Sequence, residues 1–195
     1  AESGEKIHAK TVIIATGANA KLLGIAKEKE LMAAGAGVSA CATCDGAFYK
    51  GADVAIIGGG DTAMEEALFL TRYAKSVTIV HRREEFRASK IMVERAEANP
   101  KIRWELNQVV DSILVEQLPP RNLESLKGVV LKNILNGETK ELMVSGLFVA
   151  IGHEPNTNIF KKALALDEKG YIKTLGQSSK TEIPGVFACG DVQDS

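Results

Sequence analysis

Short apolar runs alternate with helical stretches in the middle of the chain. Residues 54–57 form a continuous apolar run, as expected of a parallel strand that is buried on both faces, and residues 77–80 predict a second buried strand. Residues 62–73 and 86–98 read as helices, and residues 102–106 alternate between apolar and polar side chains as a third strand does. This order of strands and helices predicts a right-handed, doubly wound parallel sheet of the α/β class.

After residue 107 the helical pattern gives way to strands. Residues 129–131 and 142–144 flank Asn136-Gly137, a dipeptide that favours the positive φ angles of a tight hairpin turn. An antiparallel meander is therefore expected in place of the next helical crossover. Residues 147–151 predict one more buried strand, and Asp61 is expected to cap the helix that follows the first strand.

Both ends of the sequence contain strands without an obvious neighbour. Residues 11–15 predict a buried strand, which either begins in mid-domain or pairs with a segment much later in the chain. Residues 186–188 predict a strand that ends at Gly190-Asp191, and residues 170–173 resemble a short hairpin arm. Residues 18–50 contain several glycines and little periodicity, so loops and a short helix are expected there.

The composition is that of a soluble globular protein that can bury a core, with 45% hydrophobic and 25% charged residues. The net charge of −1 gives no support to nucleic acid or a membrane surface as a partner. Three cysteines are too few for a disulfide-stabilised scaffold, so a reducing compartment is the better expectation. In such a compartment a Cys-x-x-Cys motif is more often catalytic or metal-binding than structural.

A candidate phosphate-binding turn lies between the first strand of the central pattern and its helix. Gly58-x-Gly60-x-x-Ala63 has the context that a dinucleotide fingerprint requires. The first glycine allows the tight turn, the second lets the backbone approach a pyrophosphate, and the alanine permits close packing of helix and strand. The helix N-terminus, at Asp61 and Thr62, supplies N–H groups and a partial positive charge for the anion. A plain tight turn is the alternative.

Arginines at the end of the second strand indicate which dinucleotide is bound. A protein that binds NAD would place a carboxylate there to hold the ribose 2′-hydroxyl. Here the strand continues into His81-Arg82-Arg83, and Arg87 follows. Because guanidinium groups bind a phosphate bidentately, NADP(H) is the expected ligand. The alternative is a solvated basic helix start paired with Glu84-Glu85.

Cys41-x-x-Cys44 is the candidate redox centre. A redox disulfide is favoured because Asp45 places a proton donor and acceptor beside a thiol that must ionise to react. A structural zinc half-site would need two more ligands, and Cys189 and the three histidines have no paired metal spacing. We therefore expect no metal site, with inert buried thiols as the other alternative. Cys189 is most simply a small buried residue.

Taken together, five motifs closely resemble those of the low-molecular-weight thioredoxin reductases, and they span nearly all of the sequence. They are Cys41-Ala42-Thr43-Cys44-Asp45-Gly46, Gly58-Gly59-Gly60-Asp61-Thr62-Ala63-Met64-Glu65-Glu66, His81-Arg82-Arg83-x-x-Phe86-Arg87-Ala88, Ala150-Ile151-Gly152-His153-x-Pro155-Asn156 and Gly185-Val186-Phe187-Ala188-Cys189-Gly190-Asp191-Val192.

The resemblance implies an oxidoreductase in which FAD passes electrons from NADPH to the Cys41–Cys44 disulfide, and the resulting dithiol reduces thioredoxin. It implies that Cys44 lies next to the flavin, that Cys41 attacks the disulfide of thioredoxin, and that Asp45 exchanges protons. It also implies a homodimer. The cofactor-binding residues that it implies are Gly58, Gly60, Asp61, Thr62, Ala63, His81, Arg82, Arg83, Arg87, Ile151, Gly152, Gly190 and Asp191, of which the last two match the FAD-binding segment.

The sequence also departs from that family. The N-terminal FAD-binding glycine motif and the C-terminal helix after Asp191-Val192 are absent, and Cys189 stands where alanine is more usual. We therefore expect a Rossmann-like, three-layer NADPH-binding domain with a central parallel sheet and a β-meander over residues 18–152. Partial FAD-binding segments are expected over residues 1–17 and 153–195. Such a chain is expected to bind NADPH, to hold FAD poorly and to have low activity.

Two other functions stay open from the sequence. A flavin-dependent reductase of a peroxidase would share the cysteine and dinucleotide motifs. A non-catalytic NADP(H)-binding redox sensor would bind NADPH without reducing a disulfide in another protein. Cysteine usage and the lack of a signal sequence favour the cytoplasm, and an organelle is the alternative if a transit peptide has been removed.

Overall fold

The computed structural model describes residue 4, residues 6–120 and residues 123–193. The chain divides into two compact units. The larger unit comprises Lys21–Gly152, and the smaller unit combines the residues up to Ala20 with those from His153 onward. Within the described part of the chain, every helix is too short or too polar to cross a membrane.

The secondary structure is numbered in chain order. The helices are α1 (Glu28–Ala33), α2 (Ala42–Asp45), α3 (Asp61–Leu70) and α4 (Lys90–Glu97). The strands are β1 (Val12–Ile14), β2 (Ala18–Ala20), β3 (Val38–Ser39), β4 (Asp53–Ile57), β5 (Ser76–His81), β6 (Ile102–Leu106), β7 (Gln108–Leu118), β8 (Leu123–Asn133), β9 (Thr139–Met143), β10 (Gly146–Val149), β11 (His153–Pro155) and β12 (Val186–Ala188). Short 3-10 helices occur at Gly46–Tyr49 and Asn158–Phe160.

A five-stranded parallel sheet with the order β3-β10-β4-β5-β6 forms the centre of the larger unit. The predicted strand–helix–strand–helix–strand order is confirmed, since β4, α3, β5, α4 and β6 follow one another along the chain. The edge strand β3 falls within the segment for which loops and a short helix were expected. Parallel pairing brings the carboxyl ends of β4, β5 and β10 to one edge of the sheet.

The sheet is covered on both faces, which makes three layers. Val54 and Ile56 of β4 face α3 and α4, in a core that also contains Phe148. Ala55 and Ile57 of the same strand lie in a second core with β7, β8 and β9. Alternation of side chains along each strand therefore buries both faces, and the α/β three-layer architecture is confirmed.

The antiparallel meander β7-β8-β9 replaces the next helical crossover, as predicted. The prediction of a tight turn at Asn136-Gly137 is wrong in detail. The closing pair is Asn133 and Glu138, whose backbone N–H and carbonyl oxygen lie 2.8 Å apart. The Asn133 side chain accepts hydrogen bonds from the backbone N–H groups of Leu135 and Asn136, so a four-residue loop is stabilised. Gly137 supplies its positive φ of 77°.

The second helix of the central pattern begins four residues later than predicted, at Lys90 rather than residue 86. The backbone N–H groups of Arg87 and Ala88 donate to the Gly59 carbonyl, at 2.8 and 3.1 Å, which ties this segment to the glycine loop before the helix begins. Asp61 is the first residue of α3, which Gly60 caps, so its predicted capping role is wrong. Its carboxylate accepts hydrogen bonds from the Ser89 N–H and hydroxyl, both at 2.8 Å.

The smaller unit is built from the two ends of the described chain. β1 pairs in parallel with β12, which confirms the alternative of a partner much later in the chain. The expectation of a buried strand is wrong in part, since only Ile14 of β1 is buried. β2 pairs antiparallel with β11. The predicted hairpin arm is present as a bridge between Leu166 and Ile172. Ile14, Leu164 and Ala188 are among the buried side chains of its core.

Candidate functional site

A pocket of about 480 Å³ lies in the larger unit at the carboxyl ends of its parallel strands. This is the edge at which open α/β sheets bind their ligands. The predicted site residues that line the pocket are Gly58, His81, Arg82, Arg87 and Ile151. Among the described residues, Gly60, Asp61, Thr62, Ala63, Arg83 and Gly152 lie outside this lining, on the adjoining loop ends and the first turns of α3.

The three consecutive glycines meet different neighbours. A Cβ atom on Gly58 would overlap the Ala150 carbonyl and would come within 2.7 Å of the Ala63 Cβ, which shows how closely helix and strand approach here. A Cβ atom on Gly59 would collide with the His81 ring. At Gly60 a Cβ atom would meet no described atom within 4 Å. The backbone is thus open on the side where a pyrophosphate could approach the N-terminus of α3.

The His81 ring packs against the glycine loop at Gly59. Its Nε2 lies 3.2 Å from the Glu85 carbonyl oxygen, and because that oxygen can only accept, Nε2 carries the proton. The ring stacks on Phe86 at a centroid distance of 5.2 Å. Burial lowers the pKa of His81, and the charges of Arg82, Arg87 and Arg83 lower it further, against the hydrogen bond to Glu85. The imidazole is therefore held neutral beside the glycines.

Arg82 and Arg87 are exposed residues that line the pocket, and Arg83 is exposed and lies outside the lining. The segment that carries them is tied to the glycine loop through the Gly59 carbonyl. Arg82 and Arg87, which follow β5, can bind a phosphate on the ribose of a dinucleotide. Each guanidinium group presents several N–H donors in one plane, which match the oxygens of a phosphate. The residues present therefore fit NADP(H).

The sequence-based prediction missed several residues of the pocket. Gly59, Lys21 and Gln108 line it, and Gln108 is buried at the start of β7. Gln108 could have been anticipated, since it follows the carboxyl end of a predicted parallel strand. Lys21 had no comparable signal, because it is positioned by a hydrogen bond from its backbone N–H to the distant Gly152 carbonyl at 2.9 Å. The buried Glu28, the first residue of α1, accepts hydrogen bonds from the backbone N–H groups of Leu23 and Gly24 in the same loop as Lys21, at 2.8 Å each.

Cys41 and Cys44 form a disulfide at α2, with their Cα atoms 5.3 Å apart. Cys41 caps the helix, and its sulfur accepts a hydrogen bond from the Cys44 N–H at 3.2 Å. The Thr43 hydroxyl lies 3.4 Å from the same sulfur. Cys41 is half-buried and Cys44 is exposed. A bonded pair with one accessible sulfur suits thiol–disulfide exchange, in which a thiolate must reach the bond.

Asp45 is half-buried at the end of α2, directly after Cys44. Its charge raises the pKa of Tyr49, an effect second to the burial of the phenol. The Tyr49 ring packs edge-to-face on Phe148, with centroids 5.3 Å apart. Asp45 thus follows the disulfide directly along the chain, and its exchange of protons with a thiol stays a prediction.

The disulfide turn and the glycine loop both contact the same helix, α3. Ala42, between the two cysteines, is fully buried against α3 in the core that contains Met64 and Ala67. The N-terminus of α3 is the end that the glycine loop opens. The candidate redox pair and the candidate dinucleotide site thus share α3 as a support.

The last two predicted site residues, Gly190 and Asp191, follow β12 in the smaller unit and are exposed. Gly190 has a φ of 73°, and a Cβ atom there would meet no described atom within 4 Å. The loop is thus open enough for the phosphate of a bound cofactor. Cys189 is half-buried rather than buried, which corrects the expectation for that residue. Its backbone N–H donates to the Ile14 carbonyl at 3.0 Å.

The sequence profile of the pyridine nucleotide-disulphide oxidoreductases matches residues 1–195. The chain belongs to the pyridine nucleotide-disulphide oxidoreductase family. Thioredoxin reductases from Streptomyces clavuligerus and Streptomyces coelicolor are 50% and 52% identical to it, over 194 and 192 residues. These alignments cover 99% and 98% of this chain, and 58% and 57% of the two relatives.

A protein of Mycobacterium leprae, named a bifunctional thioredoxin reductase/thioredoxin, is 48% identical over 191 residues, which are 98% of this chain and 40% of that protein. Thioredoxin reductase from Lactococcus lactis, in the FR conformation, has a similar structure with a TM-score of 0.78 at 40% identity. That match covers 95% of this chain and 58% of the other. The predicted family and Rossmann-type fold are thereby confirmed, and the chain spans less than two thirds of these relatives.

Proposed function

We propose that this chain carries the NADPH-binding unit and the redox disulfide of a thioredoxin-disulfide reductase. The observation that carries the proposal is the Cys41–Cys44 disulfide packed, through Ala42, on the helix that begins at the glycine loop. The names of the similar proteins favour this function over a peroxidase reductase or a redox sensor.

The larger unit is proposed to bind NADPH, and Gly190 with Asp191 in the smaller unit to hold FAD. Gly58 and Gly60 would receive the pyrophosphate at the N-terminus of α3, where backbone N–H groups are free to donate. Arg82, Arg83 and Arg87 would hold the 2′-phosphate. When bound, the nicotinamide supplies a pair of electrons as a hydride and the flavin passes them on to the disulfide.

The two cysteines divide the exchange chemistry. Reduction breaks the Cys41–Cys44 bond and leaves a thiolate and a thiol. The Cys41 thiolate then attacks one sulfur of the oxidised thioredoxin disulfide and releases the other as a thiolate, which Asp45 helps to protonate. Attack of the Cys44 sulfur on the mixed disulfide re-forms the bond to Cys41 and frees reduced thioredoxin.

Dinucleotide binding is tested by titrating the chain with NADPH and NADH and following nicotinamide fluorescence. The Arg82→Ala, Arg87→Ala double variant should raise the dissociation constant for NADPH about tenfold or more and barely change that for NADH, because charged hydrogen bonds of ~1.5–3 kcal/mol each are removed. Arg95→Ala, at an exposed position on α4, is the control for a lost positive charge. An equal loss for both nucleotides would contradict the proposed phosphate contact.

Disulfide exchange is tested without a flavin. The chain is reduced with a dithiol, freed of the reductant and mixed with oxidised thioredoxin, whose tryptophan fluorescence reports its reduction. Transfer should occur with the unchanged chain and be lost in Cys41→Ser. Transfer that survives Cys41→Ser would assign the attack to a different thiol, and no transfer from the unchanged chain would favour the redox sensor.

Thioredoxin is the partner in this proposal. The Mycobacterium leprae relative is named for both a reductase and a thioredoxin in one protein, which supports the pairing. A second copy of the chain and a cytoplasmic location stay predictions of the sequence.

A further inference from the structure

The segment that carries Arg87 is hydrogen-bonded both to the glycine loop and to α3. The backbone N–H groups of Arg87 and Ala88 donate to the Gly59 carbonyl oxygen, at 2.8 and 3.1 Å. The next residue, Ser89, donates from its backbone N–H and from its hydroxyl group to the Asp61 carboxylate, at 2.8 Å each. These contacts join three consecutive residues to the loop and to the first turn of α3.

Asp61 contributes a single oxygen atom to this arrangement. Both hydrogen bonds from Ser89 end on the same carboxylate oxygen, Oδ1. Hydrogen bonds to an ionised acceptor are stronger than those between neutral groups. The Ser89 backbone N–H and, to a smaller extent, its hydroxyl lower the pKa of Asp61. The carboxylate therefore stays ionised in mild acid and keeps its contact with Ser89.

Asp61 lies outside the lining of the 480 Å³ pocket, whereas Arg87 is part of it. The partner of the carboxylate, Ser89, comes two residues after Arg87 along the chain. The contact that the structure gives to Asp61 is thus with the backbone that carries a pocket arginine. An effect of Asp61 on a bound dinucleotide is therefore exerted through the position of Arg87.

We propose that Asp61 is a positioning residue that favours NADPH over NADH, because it holds the backbone of Arg87 in place through Ser89. A fixed backbone reduces the conformational entropy that the arginine loses when it binds a phosphate. NADH has no 2′-phosphate, so its binding gains nothing from this restraint. The inference rests on the proposed function, in that Arg87 is taken to bind the 2′-phosphate.

The charge of Asp61 has a different effect from its hydrogen bonds. A carboxylate in the first turn of α3 repels the phosphates of NADPH and NADH alike. Removal of the whole side chain should therefore lower the preference for NADPH, whereas removal of the charge alone should not. Asparagine separates the two effects, because it keeps a carbonyl oxygen as an acceptor for both hydrogen bonds.

The test titrates the unchanged chain, Asp61→Ala and Asp61→Asn with NADPH and with NADH, and follows nicotinamide fluorescence. The preference is the dissociation constant of NADH divided by that of NADPH. It should fall roughly three- to tenfold in Asp61→Ala and stay within about twofold of the unchanged chain in Asp61→Asn. Ser89→Ala, which removes the hydroxyl donor and keeps the backbone donor, should show a smaller loss than Asp61→Ala.

Amide hydrogen exchange without nucleotide checks the restraint itself. The N–H groups of Arg87 and Ala88 should exchange faster in Asp61→Ala than in the unchanged chain, because their segment opens more often. Asp61→Asn should restore slow exchange. Circular dichroism on thermal unfolding establishes that each variant is folded at the temperature of the titration.

Asp53→Ala is the matched control, because it removes another contact between an aspartate and a serine in the same unit. Asp53 is the first residue of β4, at the opposite end of that strand from the glycine loop, and its Oδ1 accepts a hydrogen bond from the Ser76 hydroxyl at 2.6 Å. Its removal should leave the preference for NADPH unchanged.

An Asp61→Ala variant that keeps the preference of the unchanged chain would overturn this inference alone. So would an Asp61→Asn variant that loses as much as Asp61→Ala, or an equal effect of Asp53→Ala. An unchanged chain that binds NADPH no more tightly than NADH would instead contradict the proposed phosphate contact, and this inference with it.

Discussion

His81 connects the candidate cofactor pocket to the packing beneath it. Its ring fills the space that the missing Cβ of Gly59 leaves, donates to the Glu85 carbonyl and stacks on Phe86. Phe86 in turn packs on Trp104 of β6 at a centroid distance of 5.1 Å. One neutral imidazole therefore joins the glycine loop, the arginine segment and the sheet.

The burial of His81 predicts a loss of stability in mild acid. The folded-state pKa is lowered, whereas an unfolded histidine titrates near pH ~6.5. Stability should be complete above that pH and should fall as the pH drops through the lower folded-state value, because the unfolded chain binds the proton more readily. Thermal unfolding between pH 7.5 and 5.5 should show a falling Tm, and His81→Asn should flatten the slope. His153→Asn, at an exposed site, should keep it.

A slope that is unchanged in His81→Asn would assign the acid sensitivity to another group. Glu66 of α3 has the opposite effect on the pH dependence of stability. Burial raises the pKa of its carboxyl group, so the folded state binds a proton more readily than the unfolded chain and gains stability as the pH falls.

At the scale of elements, the loop between β4 and α3 has two separate roles, one in packing and one in access to the pocket. Gly59 allows close packing with His81, and Gly60 leaves the backbone open toward the pocket. The structure separates these roles although the residues are identical and adjacent. Packing and ligand access can therefore be tested independently within one tripeptide.

Alanine substitutions at Gly59 and Gly60 should change different properties of the protein. The first should lower its stability, and the second should weaken its binding of NADPH. Gly59→Ala forces a methyl group into the His81 ring, so the free energy of unfolding should fall by ~1–3 kcal/mol. Gly60→Ala meets open space and has a φ of −101°, which alanine adopts without strain, so stability should change little. Its methyl group would instead obstruct the pyrophosphate, and the dissociation constant for NADPH should rise about tenfold or more.

Chemical denaturation and NADPH titration of both variants check these expectations. A stability loss in Gly60→Ala equal to that in Gly59→Ala would contradict the separation of roles. Unchanged NADPH affinity in Gly60→Ala would place the pyrophosphate away from the glycine loop.

At the scale of the whole molecule, the two units differ in how the chain builds them. The larger unit is one continuous segment, whereas the smaller unit depends on the pairing of β1 with β12 across more than 170 residues. Every residue that lines the larger pocket lies within the continuous segment. The candidate dinucleotide site and the Cys41–Cys44 disulfide are thus encoded in one stretch of sequence.

The segment of residues 21–152 should therefore fold by itself and bind NADPH within about twofold of the affinity of the 195-residue chain. Circular dichroism on urea unfolding should show one cooperative transition. The same segment with Arg82→Ala and Arg87→Ala should fold but lose NADPH affinity. A segment that folds without binding NADPH would show that residues outside it complete the pocket.

Local periodicity was enough to predict the central strands, the two helices and the meander, because each depends on side chains a few residues apart. It misplaced the start of α4 and the cap of α3, because contacts between distant residues compete with the local pattern. Arg87 and Ala88 donate to the Gly59 carbonyl, and the Asp61 carboxylate accepts from Ser89 rather than from its own helix. Such competition between distant groups leaves no periodic signal in the sequence.

The sequence by itself determined the order of the elements, the glycine loop, the arginines and the two cysteines, because these depend on residue type and short spacing. The tertiary structure decided which of them meet. It placed Arg82 and Arg87 on the pocket and Arg83 outside its lining, joined β1 to β12, and packed Ala42 of the redox turn against α3. The physical reason is that burial and hydrogen bonding act between residues that are close in space, and only the folded chain defines that closeness.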